Sequence, residues 1–211
     1  MPSPLRYLWY PPTNADSPTP LILFLHGVGE RGDDLELVKR HSLPRFLEEG
    51  GALPAFVCVP QCPDGERWED VLDALDAMLD HLLATQPIDP DRVYLTGFSL
   101  GSYGTWSWAI ARPDRFAALM PVGGNGLRHS TYTFDQDFEA IQHLTVWMIH
   151  SAGDMTVRVD GADFFAARMT ALKMNFGYTR YPHLSHGGTA DAAFWDQQHY
   201  DWLLAQRRET R

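Results

Sequence analysis

Cysteine is scarce in this chain of 211 residues, with Cys58 and Cys62 the two present. Three residues separate them, which matches neither the C-x-x-C spacing of a redox centre nor half of a zinc pattern. They are read as two buried free thiols, with a disulfide across a strand end as the alternative. Basic charge is short as well: 17 lysines and arginines stand against 27 acidic residues, for a formal net charge of −10. That deficit argues against nucleic acid or an anionic membrane as partner and suits a neutral substrate. No apolar run reaches the roughly 18 residues that a membrane-spanning helix needs. The N-terminal stretch has Arg6 with Tyr7, Trp9, Tyr10 and prolines where a secretory signal would carry its apolar segment, so a cytoplasmic location is expected. Internal repeats and low-complexity tracts are also missing.

What is present is the composition of a globular protein, with 45% hydrophobic and 12% aromatic residues. The length suits a single domain over residues 1–211. Leu21-Ile22-Leu23-Phe24-Leu25 is a continuous apolar run between Pro20 and Gly27, as expected of a strand buried on both faces. Similar runs occur at 55–59, 93–95, 117–122 and 146–149, with a short strand near 178–181 and an N-terminal edge strand around 5–10. The linker-like PPTNADSPTP joins that edge strand to the first central one. Between the strands lie helical patterns. The clearest covers 69–85, where Val71, Leu72, Leu75, Met78, Leu79, Leu82 and Leu83 share one face and Asp73, Asp76 and Asp80 fall between them. Weaker patterns cover 34–49, 102–111, 160–174 and 191–206. Alternating strand and helix predicts an α/β fold, a mostly parallel sheet with helices on both faces.

In such a sheet ligands gather at the carboxyl ends of the strands. The run at 93–95 ends in Gly97-Phe98-Ser99-Leu100-Gly101, the one at 146–149 in His150-Ser151-Ala152-Gly153-Asp154, and the last in Pro182-His183-Leu184-Ser185-His186. Candidate nucleophile, acid and imidazole thus follow the order Ser, Asp, His, which is the α/β-hydrolase order. A serine hydroxyl needs a base to take its proton, and His186 is the choice, with His183 as its rival. Asp154 would fix the imidazole tautomer. The backbone N–H groups of Leu100 and Val28 are the expected oxyanion donors. His26 and His150 read as structural strand-end residues. Trp68, on the loop after the strand at 55–59, is the candidate substrate contact. Glu30, Arg31 and Asp33 are expected to bridge one another and fix their loop.

The segments LILFLHGVGERGDD at 21–34, VCVPQCPDGERW at 57–68, DPDRVYLTGFSLGSYGTW at 89–106, ARPDRFAALMPVGG at 111–124, HSAGDMTV at 150–157 and YPHLSH at 181–186 resemble the small α/β-hydrolase esterases of the phospholipase/carboxylesterase type, in particular the subgroup labelled predicted peptidases. The resemblance spans nearly the whole chain from residue 20 onward. It implies Ser99, Asp154 and His186 as nucleophile, acid and base, and Val28 and Leu100 at the oxyanion positions. The chain departs from the family pattern at Ser102, usually glycine, and at Gly187-Gly188-Thr189, usually Asp-Ser-Trp. The expected chemistry is ester hydrolysis through an acyl-enzyme, without a cofactor. About 50 residues separate Ser99 from Asp154, which leaves little or no lid and suits short-chain or small soluble esters. The chain would work as a monomer or homodimer. A feruloyl or acetyl-sugar esterase, a serine peptidase and a hydrolase-like binding module are the alternatives.

Overall fold

The computed structural model describes residues 4–13, 18–125 and 134–208. Its centre is β2 (Thr19–Leu25), all of whose residues are buried. Successive side chains of a strand point to opposite faces, so an unbroken apolar run needs cover on both. Leu21, Leu23 and Leu25 pack with Leu75 and Leu79 of α2 (Leu72–Thr85), Trp106 of α3 (Leu100–Ala111) and Phe165 of α5 (Asp160–Ala171). Ile22 and Phe24 pack on the other side with Leu43 of α1 (Ser42–Glu48), Phe194 of α6 (His186–Phe194) and Tyr200 of α7 (Gln197–Leu204). Burying each side chain of this size contributes about 1.5–3 kcal/mol, so β2 is the strand the fold can least afford to disturb.

The sheet has seven strands in the order β1-β3-β2-β4-β5-β6-β7. These are β1 (Tyr7–Tyr10), β3 (Phe56–Pro60), β4 (Ile88–Phe98), β5 (Ala118–Val122), β6 (Thr145–Ser151) and β7 (Phe176–Tyr181) beside β2. Strand β1 runs antiparallel to β3, and the other neighbours pair in parallel. The chain moves outward from β2 to β3, returns past β2 to β4, and then proceeds the other way through β5, β6 and β7. Loops leaving the carboxyl ends of β2 and β4 therefore diverge, and a crevice opens between them. This is the α/β-hydrolase fold.

Two expected helices are each divided. The pattern at 34–49 is a 3-10 stretch, Leu35–Arg40, followed by α1, because His41 is extended and Ser42 takes a φ of +56°. Pro44 then sits in the first turn of α1, where a missing N–H costs nothing. The pattern at 191–206 is α6 and α7, separated at Asp196, whose extended backbone and carboxylate cap α7 by accepting the Gln198 N–H at 2.9 Å. A further short helix, α4 (Phe134–Ala140), was not legible in the periodicity. Cys58 and Cys62 are free and buried, and burial pushes the Cys62 thiol up to about 12 and raises that of Cys58 as well. The expectation of little or no lid falls on the connection between β5 and α4, where residues 126–133 lie outside the described ones. Among the described residues no helix is long and apolar enough to cross a membrane.

Candidate active site

Strand β4 ends in a turn too sharp for ordinary side chains. Ser99 adopts φ 56° and ψ −114°, a combination that costs a non-glycine residue about 1–3 kcal/mol. The turn is tight because α3 is pressed against the end of β2: a Cβ on Gly101 would overlap the Leu25 carbonyl, and one on Gly97 would overlap the Gly101 carbonyl. Ser99 N donates to Val122 O at 3.0 Å, which ties the turn to β5 as well. Serine before a helix commonly caps it with its hydroxyl, but here the side chain makes no capping bond, so Oγ is not committed to the backbone.

Asp154 lies in the turn after β6, its side chain fully shielded from solvent. Oδ1 accepts the N–H groups of Thr156 and Val157, both at 2.9 Å, and Oδ2 accepts from His186 Nδ1 at 2.6 Å. The carboxylate is therefore fully partnered, and the second ring nitrogen of His186 faces away from it. His186 is the first residue of α6, after Ser185, whose Oγ caps the helix by accepting the Gly188 N–H at 3.2 Å. The imidazole rests on the ring of Phe98, the residue before Ser99, with centroids 4.5 Å apart. Gly123, at the end of β5 with φ +62°, makes room for both rings: a Cβ there would lie 2.9 Å from Phe98 Cε2 and 3.5 Å from His186 Cε1. Phe98, Gly123 and the Ser99–Val122 bond thus hold His186 beside the Ser99 turn. The rival His183 is exposed, and its backbone covers Gly153.

On the other flank Gly27 leads into a 3-10 turn, Val28–Glu30. A Cβ on Gly27 would be 3.7 Å from Ser99 Cβ, so this loop runs directly alongside the serine. Val28 and Leu100 each open a helical turn, where the first N–H groups have no acceptor within the turn and attract negative charge.

His26 is buried, and its tautomer follows from its partners. Nε2 accepts the Cys62 N–H at 3.0 Å, so the proton is on Nδ1, which donates to Gly27 O at 2.7 Å. Burial, outweighing the Gly27 bond, pushes this imidazole down to about 4. An unfolded histidine takes up its proton near pH 6.5, so between about pH 6.5 and 4 the unfolded chain gains a proton that the folded chain refuses. Stability therefore falls with pH across that window, by about 3 kcal/mol in total from this residue. Urea midpoints followed from pH 7 to 4 are expected to fall less steeply in His26→Gln than in wild type; parallel curves would show that His26 titrates normally.

Trp68 does not line the site. Its side chain is wholly buried, with Nε1 donating to His26 O at 3.0 Å and Gly104 packed so closely that a Cβ there would stand 2.5 Å from Trp68 Cβ. A ring without exposed surface cannot touch a substrate; it supports the loop from below. The expected mutual bridging of Glu30, Arg31 and Asp33 is also replaced. Arg31 donates to the carbonyls of Val28 and Glu66, at 3.2 and 2.9 Å, because a planar guanidinium close to a turn finds carbonyls first. His150 is buried, accepts the Ser151 N–H on Nδ1 at 2.8 Å, and is held toward its neutral form by burial. Among the described residues no cluster of histidine, cysteine and carboxylate side chains is arranged to hold a metal.

No protein-family model matches the chain. It is similar to poly(3-hydroxyalkanoate) depolymerase C of Paucimonas lemoignei, at 27% identity over 145 residues, covering 62% of this chain and 34% of that protein. Among solved structures, a thermostable esterase matches with a TM-score of 0.79 at 28% identity, covering 96% of this chain and 59% of that one. A phospholipase/carboxylesterase from Dyadobacter fermentans shares the fold, with a TM-score of 0.61 at 16% identity and coverage of 86% and 89%. The chain spans 34% of the length of the depolymerase and 59% of that of the thermostable esterase.

Proposed function

We propose that this chain, an α/β-hydrolase of the phospholipase/carboxylesterase type, is a serine carboxylesterase for short-chain or small soluble esters, with residues 1–211 as its one catalytic domain. The observation that carries the reading is the shielded Asp154–His186 contact held beside the strained Ser99 turn. Ser99 Oγ attacks the ester carbonyl carbon while His186 Nε2 takes the hydroxyl proton. The oxyanion that forms is received by the N–H groups of Val28 and Leu100. The carbon–oxygen bond to the alcohol breaks as His186 returns the proton to the leaving oxygen. Water, deprotonated by the same imidazole, then attacks the acyl carbon, and the bond to Ser99 Oγ breaks as His186 returns that proton to the serine and the acid leaves. Asp154 holds Nδ1–H throughout and stabilises the imidazolium. His186 carries each proton that moves in this scheme. A cytoplasmic location belongs to the same reading and is supported by two buried thiols left free.

Val28, next to Gly27, and Met155, next to Asp154, are 55% and 90% exposed. Exposed apolar side chains next to Gly27 and Asp154 suit an acyl or alcohol group that approaches from solvent. The test is a series of p-nitrophenyl esters of increasing acyl length, run beside fluorophosphonate labelling. Rapid labelling with turnover falling from short to long acyl chains is the expected result. Turnover rising toward long acyl chains would reject the substrate class, and absence of both labelling and turnover would reject the enzyme.

A further inference from the structure

The loop that offers the Val28 N–H is braced by side chains for which the scheme above has no task. Consecutive peptide groups are planar, with C=O and N–H pointing in opposite directions, so holding one end of a plane aims the other. The plane joining Gly27 to Val28 is held at its carbonyl, where His26 Nδ1–H donates at 2.7 Å. The plane before it, joining His26 to Gly27, is held at its carbonyl and faces Glu30 at its N–H. Its carbonyl accepts from Trp68 Nε1 at 3.0 Å, and the carboxylate of Glu30 lies close enough to its Gly27 N–H to be stabilised by it.

Glu30 folds back over its own turn, with its side chain 12% exposed, and its carboxylate is also stabilised by its own backbone N–H. The carboxylate comes this close because residue 27 is glycine: a Cβ there would lie 3.0 Å from Oε2. Oε2 stands 3.8 Å from His26 Nδ1, whose proton is already committed to Gly27 O, and Oε1 stands 4.0 Å from His41 Nε2. Burial raises the Glu30 carboxyl above its ordinary value, and the fields of His41 and Arg40 offset part of that. Just past β3, Gln61 Nε2 donates to Glu30 O at 2.9 Å and fixes the backbone of the same residue.

We infer that Glu30, His26 and Trp68 are positioning residues that fix two consecutive peptide planes and thereby aim the Val28 N–H at the oxyanion formed on the carbonyl bonded to Ser99. The inference rests on the esterase reading. The clamp acts on a charge that exists in the transition state and not in the bound ester, so weakening it lowers kcat and leaves KM in place. Removing one oxyanion donor outright costs about 10²- to 10³-fold, and loosening one costs less.

Glu30→Ala and Glu30→Gln are the variants to compare with wild type on one short-chain p-nitrophenyl ester, alongside hydrogen exchange at the Gly27 amide. Glutamine keeps one acceptor oxygen for the two N–H groups, and alanine keeps none. The expected order of kcat is wild type, then Gln, then Ala, the last down by about tenfold or more with KM within about twofold, and the Gly27 amide exchanging faster in the same order. A folded Glu30→Ala with wild-type kcat, or a raised KM at constant kcat, overturns the clamp. If Glu30→Ala does not fold, Glu30→Gln decides by the same kinetic criterion. If wild type itself neither turns over esters nor reacts with a fluorophosphonate, the esterase reading falls, and with it the purpose assigned to the clamp. Amide exchange then still reports on the brace itself, and unchanged Gly27 protection in Glu30→Gln would remove that too.

Discussion

Ser99→Ala is expected to lower kcat on a short-chain p-nitrophenyl ester by about 10⁴- to 10⁶-fold and to leave the melting temperature near that of wild type. Alanine removes Oγ and nothing else, since the hydroxyl makes no capping bond and the backbone bond to Val122 survives. It also keeps the Cβ, and so keeps the strain of a residue at φ 56° and ψ −114°. Ser99→Gly removes that strain, and set against the greater chain entropy of unfolded glycine the net gain over alanine is about 1 kcal/mol. The two inactive variants should therefore differ in urea midpoint, glycine being the more stable. Residual turnover within about a hundredfold of wild type would point to a different nucleophile. Equal midpoints for the two variants would show that the turn stores no strain worth measuring.

Asp154→Asn is expected to cost about 10⁴-fold in kcat without loss of fold. Oδ1 of the asparagine can still accept the N–H groups of Thr156 and Val157, which keeps the turn in place. The amide nitrogen then occupies the position of Oδ2, 2.6 Å from His186 Nδ1, and brings a donor where an acceptor stood. The ring can accept that hydrogen bond only by moving its own proton to Nε2, the nitrogen required to take the proton of Ser99. The variant would be well folded with its imidazole facing the serine in the wrong tautomer. Fluorophosphonate labelling should slow in parallel with turnover, because both begin with deprotonation of the same hydroxyl. A loss below about tenfold would remove Asp154 from the orienting role.

The parts of the structure legible in the sequence were those set by local periodicity. Five consecutive apolar residues from Leu21 to Leu25 announce a strand covered on both faces, and the apolar and acidic faces of 69–85 announce α2. The start of α6 was hidden because Gly187 and Gly188 have poor helix propensity, and the Ser185 cap outweighs that locally. The division between the 3-10 stretch and α1 depends on a positive φ at Ser42 that no propensity reveals. In the candidate site, strand ends located Ser99, Asp154 and both nearby histidines. The contact with Asp154 belongs to His186, but the spacing of the two histidines gives no reason to prefer it over His183. Trp68 was misassigned because a loop at the carboxyl edge can turn its side chain up into the crevice or down into the core. Its bond to His26, formed across 42 residues of sequence, is invisible to any local pattern.

The four segments of the candidate site hang from different strands: Gly27 and Val28 from β2, Ser99 from β4, Asp154 from β6 and His186 from β7. They hold together through the sheet, since Ser99 is tied to β5 and the bond between Asp154 and His186 spans the ends of β6 and β7. Such a site has no stability of its own. It cannot outlast the paired sheet, so the stability of the sheet sets the upper bound on the stability of the site. Unfolding of the sheet therefore scatters all four segments at once, and whatever chemistry the proposed site performs ends with it.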